Sequence, residues 1–476
     1  MLPVLLFIIY IVLGTLIAVY SRRFMRPGER DFYVGSYRVG GLVAALTYAA
    51  TTYSAFMMVG LVGLSYATGV GAHGFELLYL VATVAILIIF APRVWERARE
   101  RGWITPSDML SDHYGSKLIG IVVALIYLIS LVPYTALQMK GIGEIFGKMM
   151  GGEEHYGLGV LFGALLVLIW SLIAGIWSVA LTDAFQGLFM LLAGTLYFFW
   201  LFLLVQQNIG LAAATELLAN KGLLGMSSFW TPHVFLSFTL PWMLFAVIHP
   251  QVVQRLFIPR DREGLALMVR GFAVFGLLYT VLAVTIGLLA RAAAEGGLVP
   301  YVEPSRRDLV TPTLLTLMHP LLSSLIFVSI IAAAVTTANS IVLSLAGVAA
   351  RELGFVLPEE RRMKLGYLAA AFLVAVAASV AYARVGYIVD LAVLTTTMLL
   401  PLAPVTLLAW LNVRVPAWSA ILSLLAGFSL VVFLMMYYGK PMQVFLLSIY
   451  GLPSSVAVLL LSSLFLAVGW AFSRKS

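Results

Sequence analysis

The chain of 476 residues contains no cysteine. That absence excludes disulfides, cysteine-ligated zinc and thiol chemistry, and it leaves the compartment open. Charge is also scarce: Asp, Glu, Lys and Arg make up 11% of the residues, against 62% hydrophobic. A soluble fold of this length cannot hide so much apolar surface. Long polar stretches are missing too. The longest loops between apolar runs, 92–116, 206–230 and 294–319, are too short to fold as soluble domains. What remains are apolar runs of about 18–25 residues or more, the length that crosses a bilayer. The composition predicts an all-α polytopic membrane protein, with the lipid bilayer as its surroundings and no protein partner evident.

Thirteen spans are expected, at residues 2–20, 39–66, 73–91, 117–146, 156–177, 180–205, 231–257, 269–293, 320–350, 364–382, 386–411, 416–437 and 442–472. The first run is too long for a signal-peptide core, has no basic residue before it, and is followed by Arg22 and Arg23, so it reads as a span. With the N-terminus outside, the inner loops hold 21 of the 29 Lys and Arg residues, including Arg93, Arg97, Arg255, Arg262, Arg351, Arg474 and Lys475. The remaining 8 are Lys140, Lys148, Lys221, Arg291, Arg306, Arg307, Arg384 and Lys440. This asymmetry predicts a plasma-membrane protein with its C-terminus in the cytoplasm. The net charge of +8 is a topology signal and carries no nucleic-acid role. The outer-loop stretch TPTLLTLMHP, Thr311 to Pro320, reads equally as a short helix over the entrance or as a plain connector.

Polar residues are few inside the spans, and they cluster. IAAAVTTANSIVLSLAG, Ile331 to Gly347, sets Thr336, Thr337, Asn339 and Ser340 within five positions. A membrane threonine often bonds back to a carbonyl one turn earlier. Here the helical repeat also brings the Ala333 carbonyl beside the Thr336 and Thr337 hydroxyls. Three neutral oxygens suit a hard monovalent cation that must leave again. Further oxygens have to come from unwound backbone. The second span, with Thr51, Thr52 and Ser54 near its centre, is a candidate donor, although small polar residues also serve helix packing.

Five motifs carry a resemblance through most of the chain: DFYVGSYRVGG from Asp31, ITPSDMLSDHYGS from Ile104, AGIWSVALTDAFQGLFML from Ala174, HPQVVQRLFIPRD from His249 and AAAVTTANS from Ala332. In this order the chain resembles the sodium:solute symporter family, which includes sodium/glucose, proline, pantothenate and sialate cotransporters. The resemblance implies the LeuT-type fold, with two inverted five-helix repeats at about 39–205 and 231–411 and peripheral helices at 2–20, 416–437 and 442–472, in a single transporter domain. The second and seventh spans would be broken at mid-membrane. Pro241 and Pro250 support the break in the seventh. No proline or glycine marks one in the second.

Carried over motif by motif, the sodium site implied is Ala50, Tyr53, Ala333, Thr336 and Thr337. A second sodium is implied at Asp183, Asn339 and Ser340, with Thr336. Asp183 at the start of the sixth span is alternatively a helix cap. The solute would meet Thr52, Ser54, Met57, Glu76, Tyr134, Gln138, Trp242 and Phe245. Glu76 either touches an amine or favours the start of its helix. Thr52 and Met57 stand where sugar carriers have amide side chains, and unpaired sugar hydroxyls are costly in a dry pocket. Tyr134 and Trp242 match aromatic positions of the proline branch.

The expected activity is sodium-coupled symport of a small organic solute by alternating access, best an amino acid such as proline. Monocarboxylate or pantothenate symport is the alternative. Na+ is the coupling ion, with no organic cofactor and no catalytic residues. A passive channel would need a continuous polar lining. A proton-coupled carrier would carry a titratable group at the ion site. A sensor would carry a signalling domain, for which the closing AFSRKS leaves no room.

Overall fold

The computed structural model describes residues 2–473, so Arg474 and Lys475 lie outside the described residues. Ten helices are long and apolar enough to span a membrane, and two bent pairs bring the number to twelve. The bent pairs are Gly41–Thr52 with Phe56–Thr68, turned by 47°, and Ile388–Leu399 with Leu402–Leu411, turned by 58°. These are the second and eleventh spans, and the break in the eleventh was not expected. The seventh is in three pieces, Pro232–Met243, Phe245–Ile248 and Pro250–Arg255. Pro250 opens the last piece, where its missing N–H costs nothing.

One span start and one loop charge need correction. The last span begins at Ser454 rather than 442, because residues 441–453 form a 3-10 turn and a hairpin of two-residue strands, Ser448–Ile449 and Leu452–Pro453. Arg255 belongs to no loop: it closes the third piece of the seventh span and is fully buried.

The ninth span, Pro320–Val348, is the hub. Every residue from Ile326 to Val348 is buried, polar ones included. The first, second, fourth, fifth, sixth and tenth spans all pack on it. Large apolar side chains such as Leu16, Ile88, Leu188, Phe372 and Leu460 are exposed on the outer surface, as a lipid solvent requires. On the expected inner side, Thr105 and Asp108 form a capping box at Pro106–Tyr114. Asp261 caps the eighth span, Arg262–Glu295. The Gly264 N–H and Arg260 beside it hold its carboxyl below the usual range.

The loop between the eighth and ninth spans is ordered. It makes a 3-10 turn, Pro304–Leu309, then a short helix, Val310–Leu315, within the TPTLLTLMHP stretch. The Thr311 hydroxyl donates to the Met58 carbonyl at 2.5 Å, tying this helix to the outer half of the second span. Gly63 lets the Arg307 carbonyl approach where a Cβ would sit 2.3 Å away. Two buried ion pairs clamp the turn, Lys140–Asp308 and Arg307–Asp390, both at 2.8 Å. Asp308 also accepts from the Ile388 N–H at 3.0 Å, and Lys140 donates to the Gly386 carbonyl at 2.7 Å.

Removing one member of such a pair strands the other charge. Lys140→Gln is expected to lower stability by about 3–5 kcal/mol. Lys140→Gln with Asp308→Asn is expected to recover most of that loss. Thermal unfolding of the purified variants measures both, and equal losses in single and double variants would show that the pair does not clamp the turn.

Candidate ion and solute sites

The second span stops being helical at Tyr53, whose N–H still reaches the Ala49 carbonyl at 2.9 Å. A helix end leaves its last carbonyls without backbone donors. Here the ninth span supplies hydroxyls instead. Thr336 Oγ1 lies 2.9 Å from the Ala50 carbonyl and 2.9 Å from the Ala333 carbonyl. Thr337 Oγ1 donates to the Thr51 carbonyl at 3.0 Å and lies 3.4 Å from that of Ala50. Five neutral oxygens therefore converge in a fully buried spot, a donor set suited to a small hard cation. Of the five expected residues, Ala50, Ala333, Thr336 and Thr337 come together. Tyr53 caps the half-helix and no threonine hydroxyl reaches its carbonyl. Thr51 was missed as a backbone donor, because only the position of the break reveals which carbonyls are freed.

One turn away lies a second polar knot. Asp183 is the eighth residue of the helix Ile176–Asn208, so it does not cap the sixth span; Gly175 precedes the first turn with φ 55°. Its Oδ2 accepts from Thr47 Oγ1 at 2.6 Å and from Thr51 Oγ1 at 3.4 Å, and lies 3.5 Å from Ser340 Oγ. The buried Arg255 sits 3.8 Å from the same oxygen and donates to Ser340 Oγ at 2.6 Å and to Thr47 Oγ1 at 3.2 Å. Asp183 and Ser340 are thus brought together, with an arginine beside them. Asn339 is buried, but neither atom of its amide makes a hydrogen bond. Arg255 was missed because basic residues at span ends were all read as loop charges.

The expected solute residues are all buried, each less than 8% exposed. Glu76 faces the seventh span, and its Oε2 accepts from Trp242 Nε1 at 3.1 Å. Trp242 touches Phe56, Phe245 and Tyr79, with ring centroids at 5.1, 5.2 and 5.7 Å. Tyr134 lies against Phe245 and His249 at 6.1 and 5.3 Å. Both atoms of the Gln138 amide are buried without partners. Thr52 turns away, donating back to the Tyr48 carbonyl at 2.7 Å. Ser54 Oγ accepts from the Phe56 N–H at 3.1 Å and so holds the break itself. Met57 is fully buried just beyond it.

His249, Phe56 and Tyr79 were not anticipated. His249 sits at the second break of the seventh span, stacked on Phe245 at 3.7 Å, with its ring nitrogens near Thr396 Oγ1 and Gln251 Nε2. The His-Pro pair at that break was the signal available in the sequence. Among the described residues no group of three or more His, Cys, Asp or Glu could hold a metal ion.

Helices interrupted inside the membrane, packed on a central continuous helix that carries the hydroxyls, are the architecture of the LeuT-type fold. The chain belongs to the sodium:solute symporter family, whose model matches residues 32–427. Sodium/proline symporter 2 of Staphylococcus saprophyticus is 26% identical over 354 residues, covering 70% of this chain and 64% of the relative. The osmoregulated proline transporter OpuE of Bacillus subtilis is 27% identical over 331 residues, covering 68% and 65%. The match thus spans just under two thirds of these relatives' length. Among solved structures, a Na+-coupled sialic acid symporter in a substrate-bound outward-open state superposes with TM-score 0.76 over 98% of both chains at 18% identity. Mhp1, a nucleobase-cation-symport-1 family transporter, gives TM-score 0.54 at 16% identity, over 94% of this chain and 96% of its own.

The Asp183–Arg255 pair yields a prediction. Asp183→Asn or Arg255→Gln alone strands a buried charge, at a cost of about 3 kcal/mol or more. The double variant is expected to lose much less than the sum, with a coupling of about 1 kcal/mol or more. Unfolding midpoints of the four proteins measure it, and additive losses would show the two side chains to be independent.

Proposed function

We propose that the protein is a plasma-membrane symporter that couples sodium entry to uptake of a small amino acid, best a proline-like one. The carrying observation is the meeting of Thr336 and Thr337 with the freed carbonyls of Ala50 and Thr51, close to a buried aromatic cluster that holds the Glu76 carboxyl. Sodium replaces the hydroxyl protons as the partner of those carbonyls. The solute lies between Glu76, Trp242, Tyr134, Gln138 and Phe245. Two inverted repeats, about 39–205 and 231–411, each open on a broken helix, the second and the seventh span, and the first, twelfth and last spans are peripheral. The N-terminus lies outside.

A solute with an ammonium group would give the Glu76 carboxyl an ion-pair partner that a simple monocarboxylate or pantothenate lacks. The relatives named as proline transporters point the same way. Asp183, Asn339 and Ser340 remain the proposed place for a second sodium, which would have to share Asp183 with Arg255.

Uptake of labelled proline into proteoliposomes is expected to require a sodium gradient. Equal uptake with potassium in place of sodium, at matched membrane potential, would reject the coupling. A panel of other amino acids and monocarboxylates in the same assay tests the solute.

Thr337→Val keeps the shape and removes the hydroxyl. If that oxygen binds sodium, the sodium dependence of uptake is expected to shift at least tenfold, since about 1.4 kcal/mol suffices for that factor. Thr337→Ser is expected to stay near wild type. Solute affinity in the valine variant is expected to fall at low sodium and recover at high sodium, because coupling is reciprocal. Wild-type sodium dependence in the valine variant would remove Thr337 from the ion site.

Trp242→Ala and Tyr134→Ala are each expected to weaken solute binding, by tenfold or more for about 1.4 kcal/mol of lost contact, and to leave sodium binding nearly intact. Unchanged solute affinity in both would assign the two rings to packing.

A further inference from the structure

Away from the chamber, a groove of about 480 Å3 runs between the third span, Gly71–Arg101, and the eighth, Arg262–Glu295. Its wall changes character along its length. Leu87, Ile88 and Ala273 line one part, Glu96 and Arg262 the other, and Arg270 stands beside Ile88. The apolar runs read from the sequence stop at residue 91 on one helix and begin at 269 on the other, in the middle of this groove. The cavity therefore straddles the boundary between hydrocarbon and headgroups.

Charge within it is unbalanced. Arg262 and Glu96 pair with each other and fix the antiparallel register of the two helices. Arg270 lies eight residues further along the eighth span, roughly 12 Å deeper at 1.5 Å per residue. It is exposed, and among the described residues no Asp or Glu lies within ion-pair distance of it. Arg270 thus stands where the hydrocarbon begins, and a headgroup phosphate would supply the counter-charge it lacks.

The same register sets Arg270 near the level of Ile88. Pro92 has no N–H, so the Ile88 carbonyl lacks its helical donor and adds a free acceptor to the wall. An unpaired cation at the boundary, with an apolar trough running inward beside it, matches a phosphodiester and the acyl chain below it.

We propose that this groove binds one anionic phospholipid, with its phosphate on Arg270 and an acyl chain along Leu87, Ile88 and Ala273. The site holds the third and eighth spans together from the lipid side. It does not depend on the identity of the transported solute.

The test uses the full-length protein in detergent. Short-chain phosphatidylglycerol, short-chain phosphatidylcholine and inorganic phosphate are added separately, and the unfolding midpoint is followed. Phosphatidylglycerol is expected to raise the midpoint of the wild type. The other two are expected to do little, because basic pockets between spans select anionic headgroups. Arg270→Gln is expected to lose at least half of that rise, and Ala273→Phe, which fills the trough but keeps the charge, is expected to lose it as well. Mass analysis of co-purified lipid is expected to find anionic phospholipid enriched on the wild type and depleted on Arg270→Gln. Equal rises with both lipids would reduce the groove to a non-selective acyl surface and overturn the proposal. A rise with phosphate alone would make it a soluble-anion site and also overturn it. An unchanged response in both variants would place the lipid elsewhere.

Discussion

Everything central to this molecule depends on two residues, Tyr53 and Ser54, leaving the helical path inside a membrane-spanning segment. Hydrocarbon offers no hydrogen bonds, so each carbonyl freed by the break must be met by protein or by a bound ion. Ala50 and Thr51 are met by hydroxyls from the ninth span. That helix must therefore be straight, central and lined with small residues at the contact, which explains the alanine run before Thr336 and its burial from Ile326 to Val348. The break also needs its own support. Ser54 gives it by capping the outer half-helix through the Phe56 N–H.

Thr51 joins two sites that would otherwise be separate. Its carbonyl takes the Thr337 hydroxyl, while its own hydroxyl reaches Ser340 at 2.7 Å and Asp183 at 3.4 Å. Arg255, from the last piece of the seventh span, completes the knot. The inner halves of both broken helices are thereby fastened to the sixth and ninth spans through one buried acid. A buried pair of this kind contributes little net stability, since both ions lose their water. Its consequence is geometric: the inner piece of the seventh span cannot leave the sixth without stranding a charge, and the second span's half-helix cannot leave either without losing the Thr47 and Thr51 hydrogen bonds.

The helical segments were legible because their signals are long and redundant. Eighteen or more apolar residues, arginines at the inner ends and prolines at Pro232, Pro250 and Pro320 place most boundaries within a few positions. The pairing of Thr336 and Thr337 with the second span was legible from spacing together with the family resemblance. Periodicity could not give the break at Tyr53, because Ala, Thr, Tyr and Ser are all at home in a membrane helix; the resemblance supplied it. Arg255 was misplaced for a related reason. An arginine at the end of an apolar run looks the same in sequence whether it faces water or an acid on another helix. The last span was drawn too long because PMQVFLLSIYGLP is apolar enough to continue a helix, while Tyr450 and Gly451, with φ 50° and 83°, turn it into a hairpin. Asp183 was offered as a cap because its helix was expected to start at residue 180, four residues late.

The proposed ion and solute sites would share one stretch of backbone. Ala50 and Thr51 meet the ninth-span hydroxyls on one side of the break, and just beyond it Phe56 lies against Trp242. A cation that fixes the carbonyls of the inner half-helix orders the backbone from which the solute-facing residues hang. A solute that fixes Phe56 and Trp242 orders the same backbone from the other side. Whichever ligand arrives first bears the entropy of ordering that segment, and the second binds to a segment already ordered. Such coupling is reciprocal by necessity. It needs no contact between the ligands, only that both act on one short unwound stretch.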